Sequence, residues 1–393
     1  MTTSGKDAAK RRVLFVDDEQ GVLDGLRNVL RGQRGEWDMV FALSGAAALV
    51  EIDRQGFDVV VSDMRMPGID GATLLTKVKE KHPHTVRIVL SGQTDLQTAM
   101  RSVFVAHRFL SKPCDAATVR ATVDRACKLH AALRDETLRA VAGDISLLPS
   151  PPGVYMALTM ALANPSASIA DVAQVASRDP GLCAKILQVA NSAFFGIGRQ
   201  ITTVSEAATY LGAATLKNLA LAMEAFPQLD GPRGLDKAML RQLQVHSLSV
   251  ALMARHIMTS KDRRRIDDAF VAGMLHDIGH VILAMRGDAA RAAAGVDHAS
   301  LGAYLLGVWG LPHQLTESVA HHEAPEAIDH AVFEVVDAVY LADRIIRRHS
   351  DAPFEPAQPD IDLDRMQRLG VSSDDIATWE TLAPEHVAAA SKL

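Results

Sequence analysis

Two sets of residues in this 393-residue chain carry side chains suited to chemistry. The first is Asp17, Asp18, Asp63, Ser91 and Lys112, each at or just after the end of a short apolar run. Three carboxylates brought together repel one another, and a hard dication such as Mg²⁺ relieves that repulsion through oxygen ligands. In such a pocket Asp63 becomes a carboxylate nucleophile toward phosphorus, while the Ser91 hydroxyl and the Lys112 ammonium bind the phosphoryl product. The second set is His246, His276 beside Asp277, His298, the pair His321 and His322, and Asp343. Nitrogen and carboxylate ligands on successive helices are how bundles build metal sites. The competing use of a buried histidine is a hydrogen-bonded place in the core.

The elements that must position the first set are short strands. Arg12 to Val16, Trp37 to Ala42, Phe57 to Ser62, Val86 to Leu90 and His107 to Ser111 are rich in β-formers. Between them lie stretches with helical spacing, such as Val22, Leu23, Leu26, Val29 and Leu30. Five strands in strict βα alternation predict a doubly wound parallel sheet, with the chemistry beyond the carboxyl ends of the strands. Asp115 to about Val141 reads as one charge-rich helix with Val119, Val123, Ala126, Leu129 and Leu133 on one side. The spacing of seven from Val119 through Ala126 to Leu133 would also let this helix pair with a second copy of itself. Leu148-Pro149-Ser150-Pro151-Pro152 then breaks the chain, and from Gly153 to about His349 only helical periodicity is found. Beyond Ser350, Pro353, Pro356, Pro359 and Pro384 suggest a loosely packed tail with short helices.

Composition narrows the function classes. Aromatic residues are 5% of the chain, which fits helices closing on small side chains better than a β-sandwich. The formal charge of −6 argues against a broad electrostatic grip on nucleic acid or an anionic membrane. Cys114, Cys127 and Cys183 show no CxxC spacing, and a reducing cytoplasm is the simplest setting for them. The sequence has no signal-peptide pattern at its start, and the uncharged stretch Ile145 to Ala170 is cut by prolines and cannot be one membrane helix.

Val16-Asp17-Asp18-Glu19, Ser62-Asp63-Met64-Arg65-Met66-Pro67-Gly68, Leu90-Ser91-Gly92 and Leu110-Ser111-Lys112-Pro113 together resemble the receiver domain of two-component response regulators, over about residues 10–130. The resemblance implies a flavodoxin-like fold in which Asp63 is the phosphoacceptor and Asp17 and Asp18 hold Mg²⁺ with Asp63 and the backbone carbonyl of Arg65. It further implies that Ser91 and Lys112 contact the phosphoryl group, that Ser91 and Phe109 form the switch, and that Lys112-Pro113 is a cis peptide. The partner would be a sensor histidine kinase or a phosphotransfer protein.

Asp179-Pro180-Gly181-Leu182, Ala190-Asn191-Ser192, Ile201 to Gly212 and Met274-Leu275-His276-Asp277-Ile278-Gly279 resemble the HDOD domain, an HD-related output domain of bacterial signalling proteins. With 116–143 as a linker helix, 144–349 is then an all-helical HD-like bundle and 350–393 a tail. This resemblance implies a protein-binding module acting on an unidentified output protein. His246, His276, Asp277 and Asp343 also follow the ligand order of HD phosphohydrolases, and His298, His321 and His322 that of the HD-GYP branch, which hydrolyses cyclic diguanylate. The implied metal is Fe, Mn or Zn, and the alternative function is a metal-dependent phosphodiesterase regulated by the receiver. Against that reaction, His280 stands where the branch has Lys, and Ala324-Pro325-Glu326 where it has Gly-Tyr-Pro. Ser168 to Leu187 is similar to a helix-turn-helix, but its proposed second helix offers Lys185 and Gln188 and few other residues able to reach phosphate, so helix packing is the better reading.

Overall fold

The computed structural model describes residues 10–91, 105–112, 116–132, 161, 168–191, 199–212, 216, 237–286, 297–350 and 360–392. The chain divides into two compact units near residue 147.

In the first unit Val13, Leu14, Phe15 and Val59, Val60, Val61 form apolar runs with no polar alternation, and all are buried. A strand covered on both faces needs such a run. The strands are β1 (Arg11–Val16), β2 (Trp37–Ala42), β3 (Val59–Asp63), β4 (Val86–Ser91) and β5 (Arg108–Ser111). They lie parallel in the order β2-β1-β3-β4-β5. The chain leaves β1 to one side for β2 and returns to the other for β3. The crevice at this reversal of direction lies between the carboxyl ends of β1 and β3, where Val16 pairs with Ser62.

Helices α1 (Gln20–Val29), α2 (Gly45–Arg54) and α3 (Gly71–Lys81) connect the strands. Ser44 caps α2 by accepting from the Ala47 amide at 3.1 Å, and Asp70 caps α3 by accepting from Thr73 at 2.7 Å. Gly71 begins α3 where a Cβ would lie 2.2 Å from the Asp63 carbonyl, so only glycine lets α3 start against the end of β3. Helix α4 (Ala116–Ala132) buries Val119, Val123 and Ala126 and packs on β3. This stretch of the stripe considered for self-pairing is therefore used within its own unit, while Leu133 lies outside the described residues.

The second unit is helical: α5 (Ile169–Ala176), α6 (Pro180–Ala190), α7 (Lys237–Lys261), α8 (Ile266–Leu275), α9 (Ile278–Arg286), α10 (His298–Val308), α11 (His313–His321), α12 (Val335–Arg347), α13 (Leu363–Arg368) and α14 (Ser373–Ser391). Helix α7 is its axis, contacting α8, α12 and α14. A Cβ on Gly273 would fall 2.8 Å from the Ala251 Cα, so this glycine sets the close approach of α7 and α8. Every residue of α6 is buried, Lys185 and Gln188 included. Lys185 lies over the Trp309 ring at 5.0 Å, which accounts for the helix-turn-helix likeness as packing. Asn191 joins two segments, donating to the Leu187 and Ile201 carbonyls and accepting from the Ile201 amide.

The expected loose tail is corrected. Ile376, Trp379, Ala383 and Ala390 recur on one side of the 19-residue α14 and are buried, with α14 against α7 and α12. Pro384 is accommodated inside this helix, so reading each proline as a break undervalued the apolar stripe. No described helix is long and apolar enough to cross a membrane.

Candidate functional site

At the sheet edge, Asp17 follows β1, Asp63 ends β3 and Lys112 follows β5. Asp17 and Asp63 are buried, and Asp18 is exposed. The Lys112 ammonium bridges the two buried carboxylates, at 2.6 Å from Asp17 Oδ2 and 2.5 Å from Asp63 Oδ1. Their remaining oxygens are held by backbone: Asp17 Oδ1 accepts from the Glu19 amide at 3.0 Å and Asp63 Oδ2 from the Arg65 amide at 2.6 Å. Burial pushes the Asp63 pKa above its ordinary value, against the opposing pull of Lys112. Burial also works to lower the Lys112 pKa, but hydrogen bonds to Asp17 and Asp63 outweigh it and raise it. A carboxylate that resists ionisation gains from a second cation, and carboxylate oxygens favour a hard one. Of Ser91 only the backbone is described, ending β4 opposite Ser111. Phe109 is buried on β5. The Lys112-Pro113 peptide lies outside the described residues.

One pin of this sheet escaped the sequence reading. Arg87 is fully buried on β4, its Nε donating to the Val105 carbonyl at 2.7 Å and its Nη1 to those of Pro83 and Thr85. His107 Nδ1 accepts from the Arg87 amide at 3.0 Å. The signal available was a lone Arg inside an apolar β-run, which must find carbonyls or a carboxylate when buried.

In the helical unit, α7 supplies His246, the α8 end supplies His276 and Asp277, α10 supplies His298, the α11 end supplies His322, and α12 supplies Asp343. All six are buried and converge. His246 Nε2 stands 3.0 Å from Asp343 Oδ1 and 3.6 Å from Asp277 Oδ2. His276 Nε2 is 3.3 Å from Asp277 Oδ2, and His298 and His322 approach Asp277 Oδ1 at 3.4 and 3.6 Å. The adjacent His321 is only partly buried and stands outside the cluster; successive helical residues point about 100° apart, so one of the pair faces inward. Gly279 is required here, because a Cβ would lie 1.9 Å from the His298 carbonyl and push α10 away.

Two ring orientations bear on what the cluster can hold. His276 Nδ1 lies 2.7 Å from the Gly273 carbonyl and His322 Nδ1 2.8 Å from that of Val319. A carbonyl accepts only from N–H, which leaves Nε2 of each ring as the inward nitrogen, the arrangement of metal-bound histidines. His276 Nε2 and Asp277 Oδ1 are buried without a hydrogen bond. The ligand atoms of His246, His276 and Asp277, and those of Asp277, His298 and His322, each form a group within 4.8 Å. The donor set therefore fits a transition metal of the Fe, Mn or Zn kind.

Arg347, one turn after Asp343 on α12, was missed. Its Nε donates to both Asp343 oxygens at 2.7 and 2.8 Å, and its guanidinium reaches Asp277 at 3.7 Å. The i, i+4 spacing of Asp343 and Arg347 was the sequence signal for it. Without a metal, burial alone would lower the His276 pKa, but Asp277 and Asp343 lift it to about 10. Burial would likewise raise the two carboxyls, yet the imidazoles around Asp277, and those with Arg347 around Asp343, hold both well below the usual carboxylate range. His280, partly buried, stacks on His298 with ring centroids 4.0 Å apart.

Comparison with known proteins supplies the families. The profile of the response regulator receiver domain matches residues 13–124, and that of the HDOD domain residues 148–325. An uncharacterized protein of Treponema pallidum is 24% identical over 237 residues, covering 55% of this chain and 45% of its own length. The transcriptional regulatory protein ZraR of Escherichia coli is 28% identical over 156 residues, covering 39% and 35%. The chain thus spans less than half the length of these curated relatives. The MmoQ response regulator of Methylococcus capsulatus is 21% identical in its crystal structure, covering 60% of this chain and 98% of that one, with a TM-score of 0.46. The chain carries a response regulator receiver domain followed by an HDOD domain, in the order the motifs implied.

Proposed function

We propose that this chain is a phosphorylation switch, in which Asp63 accepts a phosphoryl group from a histidine kinase or phosphotransfer protein and the HDOD domain relays the change by binding an output protein in the cytoplasm. The observation that carries the reading is the Lys112 ammonium bridging Asp17 and Asp63 at the carboxyl edge of the sheet. Asp63 keeps one oxygen on Lys112 and the other on the Arg65 amide, so an incoming phosphorus meets a carboxylate already fixed in direction. Mg²⁺ on Asp17, Asp18 and Asp63 would offset charge on the phosphoryl oxygens. Lys112 then has a new anion to hold, and Ser91, at the end of β4, a phosphoryl oxygen to bond. Either movement acts on β4 and β5, where Phe109 sits. Asp63→Asn is expected to abolish labelling by acetyl phosphate in the presence of Mg²⁺; labelling at the wild-type level in that variant overturns the assignment.

A second reading concerns the histidine cluster, favoured by its inward Nε2 atoms and its unbonded Asp277 Oδ1. His246, His276, Asp277, His298, His322 and Asp343 hold a metal there, which would supply Lewis acidity or a structural tie between helices. The tie is the better use. The ligands are buried, His280 occupies the place of a phosphate-binding lysine, and Arg347 already neutralises Asp343. Metal analysis after expression with Fe, Mn and Zn tests this; less than one equivalent per chain removes the metal.

A further inference from the structure

The helical unit also has a cavity of about 430 Å³, a size that suits a small ligand. None of the six cluster residues lines it. Its polar wall carries Arg178, Arg255 and Lys392 against a single acid, Asp267. Among the described residues no ion pair engages these three cations, whereas the chain as a whole is acidic at −6. Three cations facing one carboxylate repel unless an anion joins them. Its apolar wall is formed by Leu248 and Leu252 of α7 and Phe270 of α8. The helix over 204–212 begins at the rim, and the first amides of a helix favour an anion there. Lys392 reaches the cavity because α14 packs on α7, so the segment expected to be a loose tail completes its wall.

We infer that this cavity is a nucleotide site, with phosphates on Arg178, Arg255 and Lys392 and the base against Phe270 and Leu252. A cleft open to solvent, with one charged and one apolar wall, matches a ligand that is itself half phosphate and half ring. A nucleic-acid strand is the poorer match, since it needs a basic track beyond the cavity and the net charge of the chain opposes it.

The test is fluorescence anisotropy of the full chain with labelled ATP and labelled GTP, in EDTA so that no metal bridges the nucleotide to Asp63 or to the histidine cluster. Saturable binding of at least one is expected, displaced by the unlabelled nucleotide but not by its nucleoside. Arg178→Ala, Arg255→Ala and Lys392→Ala should each weaken it about tenfold, the scale of one lost charge-assisted contact. Arg54→Ala, an equal change of charge on an exposed receiver helix, should leave it unaltered. Phe270→Leu, which keeps the cavity apolar, should weaken it by removing the ring face. Circular dichroism of each variant separates lost binding from lost folding. The inference is overturned if neither nucleotide binds saturably, if the nucleoside competes as well as the nucleotide, or if the Arg178→Ala, Arg255→Ala double variant binds as the wild type does.

Discussion

The receiver edge and the histidine cluster solve the same electrostatic problem with different parts. Each gathers buried carboxylates, and each contains a basic residue of its own that holds them together: Lys112 between Asp17 and Asp63, Arg347 across Asp343 toward Asp277. They differ in access and in donor type. At the receiver edge Asp18 is exposed and the Lys112 side chain is 23% accessible, so solvent reaches the rim of the pocket. In the cluster the polar groups are imidazoles and carboxylates buried among five helices, and the Arg347 side chain is 10% accessible. An internal cation with an open side makes a place where charge can be exchanged. The same device sealed on all sides makes a place where charge is stored.

This contrast can be broken by removing each cation in turn. Arg347→Leu leaves Asp343 buried with only imidazoles as partners, and a loss of about 3–5 kcal/mol is expected in denaturant unfolding of the metal-free chain. Added Mn²⁺ or Zn²⁺ should restore much of it, because a metal on the same carboxylates replaces the guanidinium; Mg²⁺, with its preference for oxygen, should not. Lys112→Ala is expected to cost less, about 2 kcal/mol, since its side chain is partly solvated and water can reach the freed carboxylates. Here Mg²⁺ is the ion expected to rescue. If each ion rescued both variants alike, the distinction of donor type would fall. The smallest effect sets the background: Ser168→Ala removes an exposed capping box from α5, where Ser168 and Asp171 bond each other's amides, and should cost about 1 kcal/mol. A receiver or cluster variant costing no more than this would show that its cation is incidental.

What the sequence made legible follows from how local each signal is. The five strands and the positions of Asp17, Asp63 and Lys112 were readable because each residue sits at the end of its own apolar run, and parallel topology brings strand ends together. Convergence of His246, His276, Asp277, His298, His322 and Asp343 was readable from helix order. The split between His321 and His322 was not, since it depends on how α11 is rotated against its neighbours. Arg87 and Arg347 were passed over because the burial of a single basic residue is decided by neighbours distant in sequence, although one lies in an apolar strand and the other four residues from an acid. The packing of α14 was missed because proline was weighted above the spacing of Ile376, Trp379 and Ala383.

The central claim is that phosphoryl chemistry belongs to Asp63 and to no other acid of the pocket. Borohydride reduction of the chain after treatment with acetyl phosphate and Mg²⁺ converts an aspartyl phosphate to homoserine, which peptide mass spectrometry locates. Homoserine is expected at position 63 alone. Homoserine at position 17 or 18, or none at 63 in a chain that has taken up phosphate, would contradict it.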